Sequence, residues 1–235
     1  ITIVYARRRY PWLRFQWQAW RLIKAYLKSG LNMFGSLFFT RLYVFGSILF
    51  LGFLLPAAQL GIFAAALKLI TVAQSFLVMP LGNSLYPHLS QLLKTNQTQY
   101  FQDRKRFRNY LVAFALFATL VTVLGKDLLI NLFFGAEYSE AAPLLALMSP
   151  VFLLTALSHF SMKQGLMVLK ADKENLRAVL ITGALSVILN YALIEWQGLY
   201  GAAWAKLALE LCLAIFGFYF FRKALQARGL SEKTV

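Results

Sequence analysis

Long apolar stretches alternate with short polar connections along most of the chain, which is the pattern of membrane-spanning helices. A helix rises about 1.5 Å per residue, so about 20 apolar residues cross the roughly 30 Å of a bilayer's hydrocarbon. Six such spans are predicted, at about Met33–Leu55, Gly61–Leu92, Tyr110–Phe134, Ala142–Leu169, Leu176–Ile194 and Leu199–Phe221. The second stretch is longer than a span needs, and Pro80 within it predicts a kink or a break. The predicted fold is an all-α, multi-pass membrane bundle.

The segment before the first span has a different pattern. Between Pro11 and Ser29, apolar positions recur on one side of a helix while arginines and lysines gather on the other. This predicts an amphipathic helix lying on an anionic membrane surface. A basic helix that binds a partner, as calmodulin targets do, is the alternative. The apolar start followed by Arg7, Arg8 and Arg9 resembles the end of an earlier span, so we expect the chain to be part of a longer protein.

The composition agrees with a membrane protein. Hydrophobic residues make up 60% of the chain and charged residues 14%, and the mean hydropathy is +0.61, which together argue against a soluble domain. The net charge is +15, but the cations lie in short loops instead of on one continuous face, which argues against nucleic acid as a partner. Cys212 is the single cysteine, so an intramolecular disulfide and a cysteine metal cluster are excluded.

The loop cations predict an orientation. One set of span ends carries nearly all of them, including Lys94, Arg104 to Arg108, Lys170, Arg222 and Arg228. The opposite ends are acidic, with Glu137, Glu140 and Glu195. Because cytoplasmic loops are enriched in lysine and arginine, this asymmetry predicts that both ends of the chain are cytoplasmic.

Four cations fall within the predicted spans: Arg41, Lys68, Lys163 and Lys206. A charge at the bilayer centre costs about 3 kcal/mol on insertion scales, so such residues usually face a partner or an aqueous cavity. Glu210 is the one clear carboxylate in the spans, and it lies one turn after Lys206, so the two can pair as a structural or gating element.

The remaining three cations predict a cavity that accepts an anion. Arginine and lysine together suit a phosphorylated headgroup, so Arg41, Lys68 and Lys163 are candidate substrate contacts. Lys163 has an alternative role, with its ammonium reaching the cytoplasmic surface. His159, one turn before Lys163, is a candidate for proton coupling, and a hydrogen-bonded packing role is its alternative.

Enzyme chemistry has little support. The sequence has no glycine-rich phosphate loop, no nucleophile elbow and only two histidines, His88 and His159. We therefore predict a non-enzymatic protein without a cofactor or a metal.

Several short patterns resemble one family of transporters. Gly61, Phe63, Ala66 and Lys68, then the run Leu85–Ser90, resemble the eighth span of polysaccharide flippases. These are the O-antigen and exopolysaccharide exporters of the multidrug/oligosaccharidyl-lipid/polysaccharide superfamily. The likeness continues at Phe134, Gly135, Tyr138, Asn190, Gly198, Gly201, Ala202, Ala203 and Glu210.

The resemblance implies a domain organisation. Residues 31–225 would form the C-terminal six-helix lobe of a twelve-helix alternating-access transporter. Residues 1–30 would be the cytoplasmic link between the lobes, with its interfacial helix, and residues 226–235 a cytoplasmic tail. The N-terminal lobe of the same protein would then be the main partner.

The resemblance also implies a function. Family members move undecaprenyl-pyrophosphate-linked oligosaccharide units across the bacterial inner membrane for O-antigen and other surface polysaccharides. Membrane lipids and the polysaccharide polymerase machinery are further expected partners. The alternatives are a flippase for lipid-linked peptidoglycan precursors, a multidrug exporter of the same superfamily, and a membrane enzyme or assembly subunit of the glycan pathway.

Overall fold

The structure is a computed structural model that describes residues 19–77 and 79–230. Every regular element within these ranges is helical, which confirms the all-α prediction. Residues 11–18 of the predicted interfacial helix at Pro11–Ser29 and residues 231–235 of the predicted tail lie outside the described residues, while residues 19–29 are helical. The chain divides into two compact units, Ile1–Phe38 and Phe39–Val235.

The helices follow one another with short connections. They are α1 (Ala19–Leu54), α2 (Ala57–Leu77), α3 (Met79–Thr95), α4 (Gln97–Leu124), α5 (Lys126–Phe134), α6 (Ala141–Met148), α7 (Val151–Ser161) and α8 (Asp172–Ala227). A 3-10 turn at Ala136–Tyr138 precedes α6, and a π-helical turn at Met162–Met167 follows α7.

The long second stretch is divided between two helices. Helix α2 ends at Leu77 and α3 begins at Met79, close to the expected break at Pro80. Pro87, in contrast, lies inside α3. Helix α3 is the more polar of the two and ends with Lys94 in its last turn.

The helix that contains most of the third predicted span, Tyr110–Phe134, has different bounds. Helix α4 begins at Gln97 instead of near Tyr110, because the side chain of Asn96 caps it by accepting a hydrogen bond from the Gln99 amide at 3.1 Å. It ends at Leu124, where Gly125 closes the helix and separates it from α5. With 28 residues, α4 is about 42 Å long, so its charged first half extends beyond the hydrocarbon layer.

Helix α8 is interrupted at Gly198, which has φ +55° and ψ −126°. Glycine adopts this backbone conformation without a steric cost, and the chain turns so sharply that a Cβ on Gly201 would collide with the carbonyl of Leu193. The turn falls between the fifth and sixth predicted spans. Each part of α8 exceeds the roughly 20 residues that a span requires.

Five helical regions are long and apolar enough to cross a membrane, by length and composition, within the described residues. The fifth is Asp172–Ala227, the helix that Gly198 interrupts. Large apolar side chains on these helices remain exposed, among them Phe53 at 80% and Phe76 at 76%, as expected for positions that face lipid.

Two buried clusters hold the second unit together. The larger one joins α2, α6 and α7 through residues such as Phe63, Leu144 and Phe152. The smaller one joins α3, α4 and the end of α8 through Leu89, Tyr100 and Phe221.

Arg104 corrects one part of the orientation argument. The sequence placed it among the loop cations, but its side chain is only 2% exposed. Its guanidinium carbon lies 4.0 Å from the ring centroid of Phe160 and 3.9 Å from that of Phe221. Arginine stacks well on aromatic faces, so Arg104 is a packing residue and not a solvated loop cation.

Candidate functional site

A cavity of about 470 Å³ opens among four helices of the second unit. Its polar lining consists of Tyr43 from α1, Lys68, Thr71 and Gln74 from α2, Thr155, Ser158 and His159 from α7, and Lys206 and Glu210 from α8. Apolar side chains such as Leu67 and Leu213 complete the wall. A mostly apolar cavity with a few convergent polar groups is typical of a ligand site.

A buried ion pair lies at this cavity. Lys206 Nζ is 3.1 Å from Glu210 Oε1, and the two residues are one helical turn apart on α8. The structure thus brings together the pair that the sequence indicated. Tyr43 lies beside this pair, with its ring centroid 5.0 Å from Lys206 Nζ.

Lys68 is an exposed residue of α2 that lines the same cavity. It makes no ion pair with any described residue. Because the carboxylate of Glu210 offsets the ammonium of Lys206, Lys68 leaves the described lining with an excess positive charge.

His159 also lines the cavity, from the last turn of α7. The hydroxyl of the adjacent Ser158 donates a hydrogen bond to the Thr155 carbonyl within the same helix, at 3.0 Å. The Ser158 hydroxyl oxygen can still accept a hydrogen bond. The structure therefore groups His159 with Lys68, Lys206 and Glu210.

Arg41 and Lys163 lie outside the described lining of this cavity. Arg41 is exposed on α1, with its guanidinium carbon 5.7 Å from the ring centroid of Phe45, a residue that does line the cavity. Lys163 is half-buried in the π-helical turn after α7, where it interacts with other residues. Their roles as substrate contacts remain predictions.

Sequence reasoning missed most of the uncharged polar lining. Gln74 donates a hydrogen bond to the Thr155 hydroxyl at 2.7 Å, which joins α2 to α7 across the cavity wall. Lys68, Thr71 and Gln74 recur three residues apart on α2, and Thr155, Ser158 and His159 occupy one face of α7. This helical spacing of polar residues within apolar spans was the signal that could have identified them.

The arrangement suits binding more than bond-breaking chemistry. The Lys68 ammonium, the Gln74 amide and the Thr155 hydroxyl offer hydrogen-bond donors to an anion, while the apolar wall can hold a nonpolar neighbour of that anion. Among the described residues, no group of three histidine, cysteine, aspartate or glutamate side chains is placed to hold a metal ion.

Comparison with known proteins agrees with this membrane setting. Residues 1–93 match the family described as polysaccharide biosynthesis protein. A protein of Escherichia coli K12 named "Putative O-antigen transporter" is 28% identical over 191 residues, covering 81% of this chain and 46% of the relative. A protein of the same name from Shigella dysenteriae is 26% identical over 196 residues, covering 81% and 47%. No solved structure matches significantly.

The chain spans about half the length of the curated relatives it matches. The apolar helices and these relatives together identify an integral membrane protein. The matches support the polysaccharide and O-antigen flippase family, which confirms the family that the sequence resemblance indicated.

Proposed function

We propose that this chain is one lobe of a transporter that moves undecaprenyl-diphosphate-linked oligosaccharide units across the bacterial inner membrane, for O-antigen or another surface polysaccharide. The observation that carries the proposal is the cavity among the apolar helices, whose lining includes Lys68 without a described ion-pair partner. The names of the two relatives favour transport over catalysis.

Lys68 is the proposed contact for the diphosphate. A lysine acts as a mobile point charge for phosphate, and the Gln74 amide and the Thr155 hydroxyl can donate further hydrogen bonds. Arg41 and Lys163 are proposed as additional contacts along the route, outside this cavity. The polyprenyl chain would remain in lipid, against the exposed apolar side chains of the helices.

Lys206, Glu210 and His159 are the proposed gating or ion-coupling group. Glu210 is the anion that neutralises Lys206. A diphosphate in the cavity would compete with Glu210 for the Lys206 ammonium and so break the ion pair. His159, which lines the same cavity, is the proposed proton-coupling residue.

The proposed setting is the inner membrane with both ends of this chain in the cytoplasm. The loop cations support that orientation even without Arg104, since Lys94, Lys105, Lys170 and Arg222 are all exposed. An N-terminal lobe of the same protein would supply the other half of the route. The polysaccharide polymerase machinery would receive the product.

A cationic drug is a poorer cargo for this cavity. Such a molecule needs a free carboxylate, and the described lining contains one carboxylate, which Lys206 already pairs. A lipid-linked peptidoglycan precursor carries the same diphosphate as the proposed cargo. The two cargoes are distinguished by whether loss of the protein removes surface polysaccharide or cell viability.

The test is charge reversal of Lys68 in the intact protein. Lys68→Glu is expected to reduce surface polysaccharide at least tenfold while the protein inserts in the membrane normally, because a carboxylate repels the diphosphate. Lys105→Glu is the matched control, since it makes the same charge change at an exposed residue of α4 away from the cavity. Unchanged polysaccharide in the Lys68→Glu strain would contradict the proposed contact.

A further inference from the structure

A second concave site lies away from the cavity of Lys68 and shares none of its described lining residues. This basic groove has a volume of about 620 Å³. Three cations line it, Lys94, Lys170 and Arg228, together with Tyr86 and Ser90. We propose that the basic groove binds the phosphate of an anionic phospholipid at the membrane surface.

The first support is where the cations lie along the spans. Lys170 follows the candidate span Ala141–Met167, and Arg228 is the residue after Asp172–Ala227. Lys94 is in the last turn of α3. The groove therefore gathers three chain segments at the ends of helices, on the side of the protein that the loop cations predict to face the cytoplasmic leaflet.

The second support is charge. All three cations are exposed, and none makes an ion pair with a described residue. No carboxylate occurs among the described lining residues. The C-termini of α3 and α8 each contribute about half a negative charge, which three full positive charges exceed.

The third support is the backbone of Lys170. Its φ is +49°, a left-handed conformation that residues with a side chain adopt uncommonly. The turn is fixed by hydrogen bonds from the Lys170 amide to the Met167 carbonyl at 2.9 Å and from the Ala171 amide to the Leu166 carbonyl at 2.8 Å. Favourable interaction with the negative end of a helix accounts for the cations Lys94 and Arg228. It does not account for a lysine at position 170, where glycine would adopt the positive φ more easily.

The fourth support is Ser90. It lines the groove from the same face of α3 as Tyr86 and Lys94, four residues apart in each direction. Its hydroxyl oxygen is buried and has no hydrogen-bond partner among the described residues. Rotation of the Ser90 side chain would present that hydroxyl to a phosphate oxygen in the groove, while Leu93, Val168 and Leu230, which also line the groove, suit the glycerol end of a lipid.

The test measures phosphatidylglycerol binding to the intact protein, with phosphatidylcholine as the neutral comparison. Each cation near a membrane surface changes lipid affinity about fivefold, so replacing Lys94, Lys170 and Arg228 with Gln should weaken phosphatidylglycerol binding about a hundredfold. The matched control replaces Lys105, Arg222 and Lys223 with Gln, which removes the same charge at exposed positions outside the groove. Equal losses in the two triple variants would overturn the proposal.

Lys170→Gly separates binding from folding. Glycine accepts the positive φ, so the Tm should stay the same or rise, while phosphatidylglycerol binding should fall about fivefold. Unchanged binding would overturn the role of Lys170.

Competition with inorganic phosphate identifies what the groove recognises. If excess phosphate displaces phosphatidylglycerol, the groove recognises the phosphate group itself. If phosphatidylglycerol stays bound in excess phosphate, the groove recognises a phosphate that a lipid carries. Because Lys68 is intact in every variant, failure here would leave the proposed transport function standing.

Discussion

Two buried cations of this protein are accommodated in different ways. Arg104 lies between the rings of Phe160 and Phe221, and its environment is closely packed. Lys206, 7% exposed, is paired with Glu210 at the edge of a cavity. Aromatic rings cannot exchange places with a substrate, whereas a carboxylate beside an open cavity can be displaced by another anion. The comparison indicates that Arg104 serves stability, and it supports the proposed functional role of Lys206.

The largest expected effect is at Arg104. Arg104→Ala removes a large buried side chain and both ring contacts, and should lower the free energy of unfolding by about 4 kcal/mol. Arg104→Lys should recover only part of this, because an ammonium cannot stack as a planar guanidinium does. Thermal unfolding in detergent measures both. Lys105→Ala, at the next and exposed position, should stay within about 0.5 kcal/mol of the parent; equal losses at the two positions would refute the packing role.

The ion pair should show strong coupling. Lys206→Met leaves Glu210 buried without its partner and should cost about 3 kcal/mol. Adding Glu210→Leu should restore most of that stability, because an apolar pair can replace a buried ion pair. A double-mutant cycle measures the difference. Strictly additive losses would show that the two charges act independently.

The turn that carries Lys163 should be sensitive to small additions. A Cβ on Gly165 would lie 2.7 Å from a ring carbon of Phe221, the ring that also covers Arg104. Gly165→Ala should therefore destabilise the protein by about 2 kcal/mol through overpacking. At Gly61 a Cβ meets nothing within 4 Å, so Gly61→Ala should be neutral or stabilising by about 0.5 kcal/mol. If thermal unfolding ranks the two variants in the reverse order, the close packing around Phe221 is not as described.

The sequence predicted those features whose residues all lie on one helix. Hydropathy identified the membrane helices, and the spacing of Lys206 and Glu210 on one helix indicated their contact. The junction between the last two spans fell at Gly198 because the surrounding polar residues and glycine interrupt the apolar pattern.

The remaining features depend on contacts between distant segments. Gln74 and Thr155 are 81 positions apart, and Arg104 meets rings from α7 and α8, so no local pattern reports either contact. The early start of α4 was a local signal that was overlooked, since Asn96 is a favourable N-cap. Charge alone grouped Arg41 and Lys163 with Lys68, although neither lies in the described lining of the cavity.

Lys68 should differ from both buried cations, because it is exposed at the cavity and makes no described ion pair. Lys68→Ala should change stability by no more than about 0.5 kcal/mol. Its effect should appear in ligand affinity instead, since losing one charged hydrogen bond to a diphosphate weakens binding about tenfold or more.

The most direct measurement compares undecaprenyl diphosphate with undecaprenol for binding to the intact protein in nanodiscs. Lys68→Ala should weaken binding of the diphosphate at least tenfold and leave binding of the uncharged alcohol unchanged, while Lys105→Ala should alter neither. Equal affinity of the parent protein and Lys68→Ala for the diphosphate would contradict the claim that this cavity recognises a lipid-linked diphosphate.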